Sequence, residues 1–319
     1  MESTQMSRNR DRKYRLILFL VIGFAALSSA IKELNQIHAM TVEVGKMISE
    51  WSDAVIPSAS ARTPTIIKSC TANSLVQASD EFRWNGVVAP GQELEINGIN
   101  GDIAAEPAPG NEVLVTAVKR SRRSDVNSVQ IKVVPHAGGV TICALYPNDD
   151  GTTNTCEPGE NNRQASGSKT RNTDVRVDFT VRVPQHVGFV GRTVNGDISA
   201  TTLANNVVTR TVNGSIKIST SGYAEATTIN GAISARLGDS AWPKSLEFTT
   251  LNGEITLDLP AGVSTDVEAQ TLNGVISSDF PLGVTSMKNL KHLKGRIGSG
   301  GRELFLKTLN GSINLRLAS

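Results

Sequence analysis

With 319 residues, the chain has room for one large domain and an appendage. Aromatic residues make up only 4% while glycine numbers 28, a balance that suits thin strands and tight corners and excludes a thick aromatic core. The net charge of +2 comes from the tail, where Arg8, Arg10, Arg12, Lys13 and Arg15 outweigh Glu2 and Asp11; the rest is about −1, which excludes a broad nucleic-acid surface.

The basic tail runs into Leu16 to Ile31, which carries no charge before Lys32. A basic leader ahead of an apolar run keeps the N-terminus inside and sends the rest across. As a helix the run measures about 24 Å, short of the ~30 Å hydrocarbon core. Ser28-Ser29-Ala30 also resembles a small-residue cleavage site. Residues 1–31 are therefore read as a basic tail plus a transmembrane anchor or a signal peptide, with 16–31 as the membrane contact. Residues 32–81 read as stalk and linker. Ile31, Leu34, Ile37, Val44, Ile48, Trp51 and Val55 recur at helical spacing, and 56–64 has a linker composition.

Residues 82–319 read as one β domain. Within 82–185, strands are expected near Leu94–Ile96, Val113–Val118, Val129–Val134, Val140–Tyr146 and Val175–Val183. They are expected to form irregular coils that cap the open N-terminal end of the regular repeats. Asn148 to Asn172 is a polar insertion, read as a surface loop. Cys143 ends a predicted strand and Cys156 lies in the loop leaving it. An exported chain meets an oxidising compartment, so a Cys143–Cys156 disulfide is expected, contributing about 3 kcal/mol in the chain-entropy model. Cys70 is left over.

Residues 186–319 repeat one phrase: Thr, apolar, Asn, Gly, variable, Ile. It places Thr193, Asn195, Gly196 and Ile198 in the first copy, then Thr211, Asn213, Gly214 and Ile216 in the second. Thr228, Asn230, Gly231 and Ile233 come next, then Thr250, Asn252, Gly253 and Ile255. Thr271, Asn273, Gly274 and Ile276 precede the last copy, Thr308, Asn310, Gly311 and Ile313. A worn copy, His292 to Ile297, fills the gap before it, and an early one, Ile99 to Ile103, stands upstream.

A period near twenty marks stacked repeats, none large enough to bury a face alone. Asn-Gly is also the strongest short hairpin signal. A hairpin would put Val194 and Ile198 on opposite faces and expose one of them in every copy. A corner in a chain that keeps going forward lets Val194, Gly196 and Ile198 share the inward side. The expected fold is therefore all-β: a single-stranded β-solenoid, or β-helix, with about 17–22 residues per coil, preceded by an N-terminal membrane or signal helix. Coils one strand spacing apart would let Asn, Thr and Ile each form a ladder.

These repeats, preceded by Val181-Arg182-Val183-Pro184, resemble the bacterial adhesin-like domains of unknown function built from β-strand repeats. The resemblance covers roughly Phe82 to the C-terminus. It implies an exported β-solenoid and brings no catalytic residues.

No nucleophile elbow, phosphate loop or zinc motif is present, and no cofactor or metal is expected. Asp174 and Asp178 share a strand face, and Asp102 and Asp197 hold matching repeat positions. Paired carboxylates of this kind are what glycoside cleavage needs. Surface charge accounts for both pairs. The basic run Lys119-Arg120-Ser121-Arg122-Arg123 reads as a strand-end turn. The expected protein faces the periplasm or exterior from the inner membrane, or is released to the periplasm if its leader is cleaved. It has an adhesin-like binding role toward cell-envelope glycan or another envelope protein, no nucleic-acid partner and no catalytic activity. An envelope sensor acting across one helix and a polysaccharide-active β-helix enzyme are the alternatives.

Overall fold

A computed structural model describes residues 78–159, 173–288 and 291–318. The expected anchor or signal, the helical stalk, Cys70 and residues 160–172 of the insertion lie outside the described residues. Among the described residues no helix is long and apolar enough to cross a membrane.

Two large sheets, of eleven and ten strands, hold most of the described chain. The chain passes between them at the Asn-Gly of each repeated phrase. Gly188–Arg192 lies in the eleven-stranded sheet and Ile198–Leu203 in the ten-stranded one, with Thr193 to Asp197 as the corner between. We call this unit a rung and name each rung by its asparagine. The rungs pair in parallel, Ile on Ile: Ile103 on Ile198, Ile198 on Ile216, Ile216 on Ile233, Ile233 on Ile255, Ile255 on Ile313, and Ile313 on Ile276. Asn-Gly is therefore a forward corner, not a hairpin tip.

Period-two alternation sends one set of side chains inward from each sheet. Leu246 and Phe248 from one sheet and Ile255 and Leu257 from the other are fully buried in a single hydrophobic cluster. Burying one such side chain is worth roughly 1.5–3 kcal/mol before ordering costs. The long step between Gly231 and Gly253 holds a detour after Ile233–Leu237 that buries Trp242 at the core's side.

Rank in space departs from rank in sequence. The rungs stack as Asn100, Asn195, Asn213, Asn230, Asn252, Asn310, Asn273. The upstream phrase is thus a regular member of the stack, so the regular region does not start at 186. The last segment of the chain lies inside the rung that precedes it in sequence.

Antiparallel strands close both ends. Beyond the Asn100 rung come Gly139–Leu145 in one sheet and Arg176–Val183 in the other, both parallel to it. Gln130–His136 then adds antiparallel to the first, and Glu112–Ser121 with Ala78–Val87 to the second. At the far end His292–Ile297 and Gly283–Lys288 add antiparallel outside Thr265–Asn273. The worn copy is therefore a capping strand and not a coil. Lys294 stands where a rung needs asparagine, so it cannot pass the corner bonding onward.

Candidate functional site

Two side-chain rows, threonine and asparagine, run along the corners beside a row of glycines. The threonine faces inward and is buried in each of the six downstream copies. Its hydroxyl donates to the glycine carbonyl of the neighbouring rung: Thr193 to Gly101 at 3.1 Å, Thr211 to Gly196 at 3.0 Å, Thr228 to Gly214 at 2.9 Å, Thr250 to Gly231 at 2.9 Å, Thr308 to Gly253 at 2.9 Å and Thr271 to Gly311 at 2.8 Å. A buried hydroxyl needs such a partner. The carbonyl is reachable because no side chain stands in the way.

That is the role of the glycine, and it differs from the one read in the sequence. Gly196 does not make room between Val194 and Ile198. A Cβ on Gly196 would lie 1.9 Å from the Gly101 carbonyl oxygen, and one on Gly214 would lie 2.0 Å from that of Gly196. Gly231, Gly253, Gly311 and Gly274 repeat the contact rung by rung. The apolar residue before Asn is buried in two copies, Val194 and Ile229, with Val194 in the core cluster as expected. Val212, Leu251 and Leu309 are only half-buried, and Leu272 is exposed. The place that is buried in every copy belongs to Thr.

The asparagines point outward and bond one another. Asn213 Nδ2 donates to Asn195 Oδ1 at 2.8 Å, Asn230 to Asn213 at 2.8 Å, Asn252 to Asn230 at 2.7 Å, Asn310 to Asn252 at 2.7 Å and Asn273 to Asn310 at 2.8 Å. Asn100 instead donates to the Val175 carbonyl, and the Tyr146 hydroxyl donates to the Asn100 carbonyl. Burial pushes that phenol far above its ordinary range.

The carboxylates of interest are likewise engaged. Asp178, Asp102 and Asp197 line up across successive rungs. Asp178 accepts from the Asp102 backbone N–H, Asp102 from that of Asp197, and Asp197 from that of Ser215. Arg176 holds both Asp178, at 2.7 Å, and Asp102, while Arg120 pairs with Asp178 at 2.5 Å. The hydrogen bond to Asp178 raises the Arg176 pKa. Asp174 accepts from the Ser121 hydroxyl at 2.7 Å and from the backbone N–H groups of Arg122, Arg123 and Ser124. These bonds, the Ser121 hydroxyl first, hold its pKa far below the usual range. A general acid for glycoside cleavage needs the opposite shift. The basic run is thus a strand-end turn closed on Asp174, with Lys119 buried against Asp80.

A second polar site lies on the outer face of the eleven-stranded sheet, and nothing in the residue pattern points to it. Glu95, Asn97 and Thr141 point out of that sheet yet are buried. The cover is the loop after Gly139–Leu145, tied back by a Cys143–Cys156 disulfide with a Cα–Cα distance of 5.8 Å. Glu95 accepts from the Thr141 hydroxyl at 3.0 Å and the Gly159 N–H at 2.9 Å, and it contacts the Arg192 guanidinium. Burial, then the neighbouring Arg210, pushes the Arg192 pKa down to about 10. Asn97 donates to Glu95, but among the described residues nothing donates to its buried Oδ1. His136 reaches Thr141 at 3.1 Å.

His292 lies in the capping strand and not at a corner, 3.1 Å from Glu268. Among the described residues no three His, Cys, Asp or Glu side chains converge as a metal site.

No protein-family model matches this chain, and no curated protein does. Among solved structures it is similar to a "putative cell adhesion protein" from Clostridium sporogenes, with 12% identity and a TM-score of 0.40, covering 75% of this chain and 100% of that one. It is also similar to a "putative adhesin" from Bacteroides fragilis, with 11% identity and a TM-score of 0.32, covering 74% of this chain and 97% of that one. At these scores neither likeness bears on the role of this chain.

Proposed function

We propose that this chain is an exported, envelope-associated β-solenoid with a structural, adhesin-like binding role and no catalytic activity. The rungs would be its coils, and its partner would be a polymer of the cell envelope, glycan above all. One observation carries this: the corner repeats the same bonded groups at a single strand spacing over successive rungs. A stack of this kind holds a long surface in register and offers a repetitive partner the same groups at each step. The carboxylates that could have cleaved a glycan support the same conclusion, since each is tied to backbone N–H groups or arginine. Export and attachment would depend on residues 16–31.

The Asn row separates scaffold from binding surface. The double variant Asn213→Ala/Asn230→Ala loses three ladder bonds. At about 0.5–1 kcal/mol for each exposed bond, its thermal midpoint is expected to fall by roughly 5 °C. Full-length protein should still be pulled down by cell-wall or polysaccharide fractions. An unchanged midpoint with lost pull-down would make the row itself the binding surface. Failure of the wild type to bind any envelope fraction, or release of reducing sugar from a polysaccharide by the purified chain, would overturn the proposal.

A further inference from the structure

The inverted order of the last two rungs has a consequence for how this chain meets its own copies. Glu303–Asn310 lies between Leu246–Thr249 and Thr265–Asn273, parallel to both, and Ile313–Leu317 lies between Ile255–Leu259 and Ile276–Ser278. The segment 303–317 thus fills a slot bounded by two rungs that precede it in sequence. It is matched on both walls. Asn310 donates to Asn252 and accepts from Asn273, Thr308 donates to the Gly253 carbonyl, and Thr271 donates to that of Gly311.

Both walls are complete before the filler exists. The polypeptide is made from its N-terminus, so the Asn252 rung, the Asn273 rung and the antiparallel strands Gly283–Lys288 and His292–Ile297 all precede residue 303. Residues 260–264 join Ile255–Leu259 to Thr265–Asn273, and the two rungs they connect, Asn252 and Asn273, are not neighbours in the stack: the Asn310 rung lies between them. To enter, the chain must pass from His292–Ile297 over the start of Thr265–Asn273. It does so through Gly298-Ser299-Gly300-Gly301-Arg302, with Gly298 and Gly300 at φ of 58° and 78°. This strap is pinned by the Thr265 hydroxyl on the Arg302 carbonyl and by Asp266 on the Gly301 N–H.

We propose that the slot is a self-recognition site: it accepts residues 303–317 of a second copy of this chain, giving a reciprocally exchanged dimer. Every bond of the slot is kept in the exchanged form, since an identical segment supplies it. Only the strap changes its path, and it is released from the two glycine conformations that the closed path requires. The walls recognise the filler by its Thr-Leu-Asn-Gly-Ser-Ile phrase, which sets register through the corner bonds, so the partner is specified by chemistry and not by apolar cover alone.

The test uses two full-length populations that retain the native disulfide, each with Cys70→Ser. One carries Glu247→Cys and the other Phe305→Cys, positions directly paired on adjacent parallel strands. In an exchanged dimer the new thiols meet between chains. After joint refolding at high concentration and mild oxidation, a covalent heterodimer should form and increase with protein concentration. It should exceed several-fold the product of a control pair, Phe305→Cys with Ser219→Cys, the latter in the other sheet. Deleting Gly300 and Gly301 should convert the chain to a dimer in size-exclusion chromatography with light scattering. Cross-linking no greater than the control pair overturns the proposal, whatever the deletion variant does.

Discussion

Gly214→Ala is expected to cost about 3 kcal/mol or more, measured as a shift in the denaturation midpoint followed by circular dichroism. The new Cβ would sit 2.0 Å from the Gly196 carbonyl oxygen and 2.5 Å from its carbon. Those atoms belong to backbone that is itself fixed, for the Gly196 N–H donates to the Asn213 carbonyl and the Gly214 N–H to that of Asn230. No side-chain rotation relieves the overlap. The rungs must separate, and separation breaks the Thr211 hydroxyl bond to the same Gly196 carbonyl. Gly262 is the control: nothing lies within 4 Å of a Cβ there, so Gly262→Ala should stay within about 0.5 kcal/mol of wild type. Equal stability of the two variants would mean that the corners do not stack as described.

The second large effect is expected at Glu95. Glu95→Ala should destabilise by roughly 3–5 kcal/mol, the range for breaking a buried ion pair from one side. Arg192 would be left with only 11% of its side chain exposed and without its ion-pair partner, Glu93 being the carboxylate that still acts on it. The Thr141 hydroxyl and the Gly159 N–H would lose their acceptor as well. Removing the charge from both sides tests the cause. In Glu95→Leu/Arg192→Met no uncompensated charge remains, and most of the loss should be recovered. A double variant as unstable as Glu95→Ala would show that the cost lies in packing under the loop and not in the buried charge.

Much of the corner was legible in the sequence. Thr-x-Asn-Gly-x-Ile recurs with apolar residues that cannot both be buried in a hairpin, and that alone argues for a forward corner. What the sequence could not show is which neighbour each group meets. Gly196 reads as a space-maker within its own rung, because contact with the next rung's carbonyl is a property of the stack. The order of rungs is hidden for the same reason: the Asn273 and Asn310 phrases look alike, and only the strand pairing in the fold ranks one inside the other. Glu95, between Leu94 and Ile96, has the period-two signature of a solvent face. Its burial comes from a loop some fifty residues later in the sequence, held down by Cys156. His292 to Ile297 copies the phrase loosely, but without asparagine the strand is free to turn antiparallel.

The rows at the corners also govern how this protein ages. Asn followed by Gly is the dipeptide most prone to deamidation: the glycine nitrogen attacks the asparagine side-chain carbon, ammonia leaves, and water opens the succinimide to aspartate or isoaspartate. Within the stack that nitrogen is occupied. The N–H groups of Gly101, Gly196, Gly214, Gly231, Gly253 and Gly311 each donate to the asparagine carbonyl of the next rung at 2.9–3.0 Å. Gly274 belongs to the outermost rung, and none of the described residues accepts from its N–H. On storage at mildly alkaline pH, peptide mass spectrometry should find Asn273 converted before the other corner asparagines, which survive until the chain unfolds.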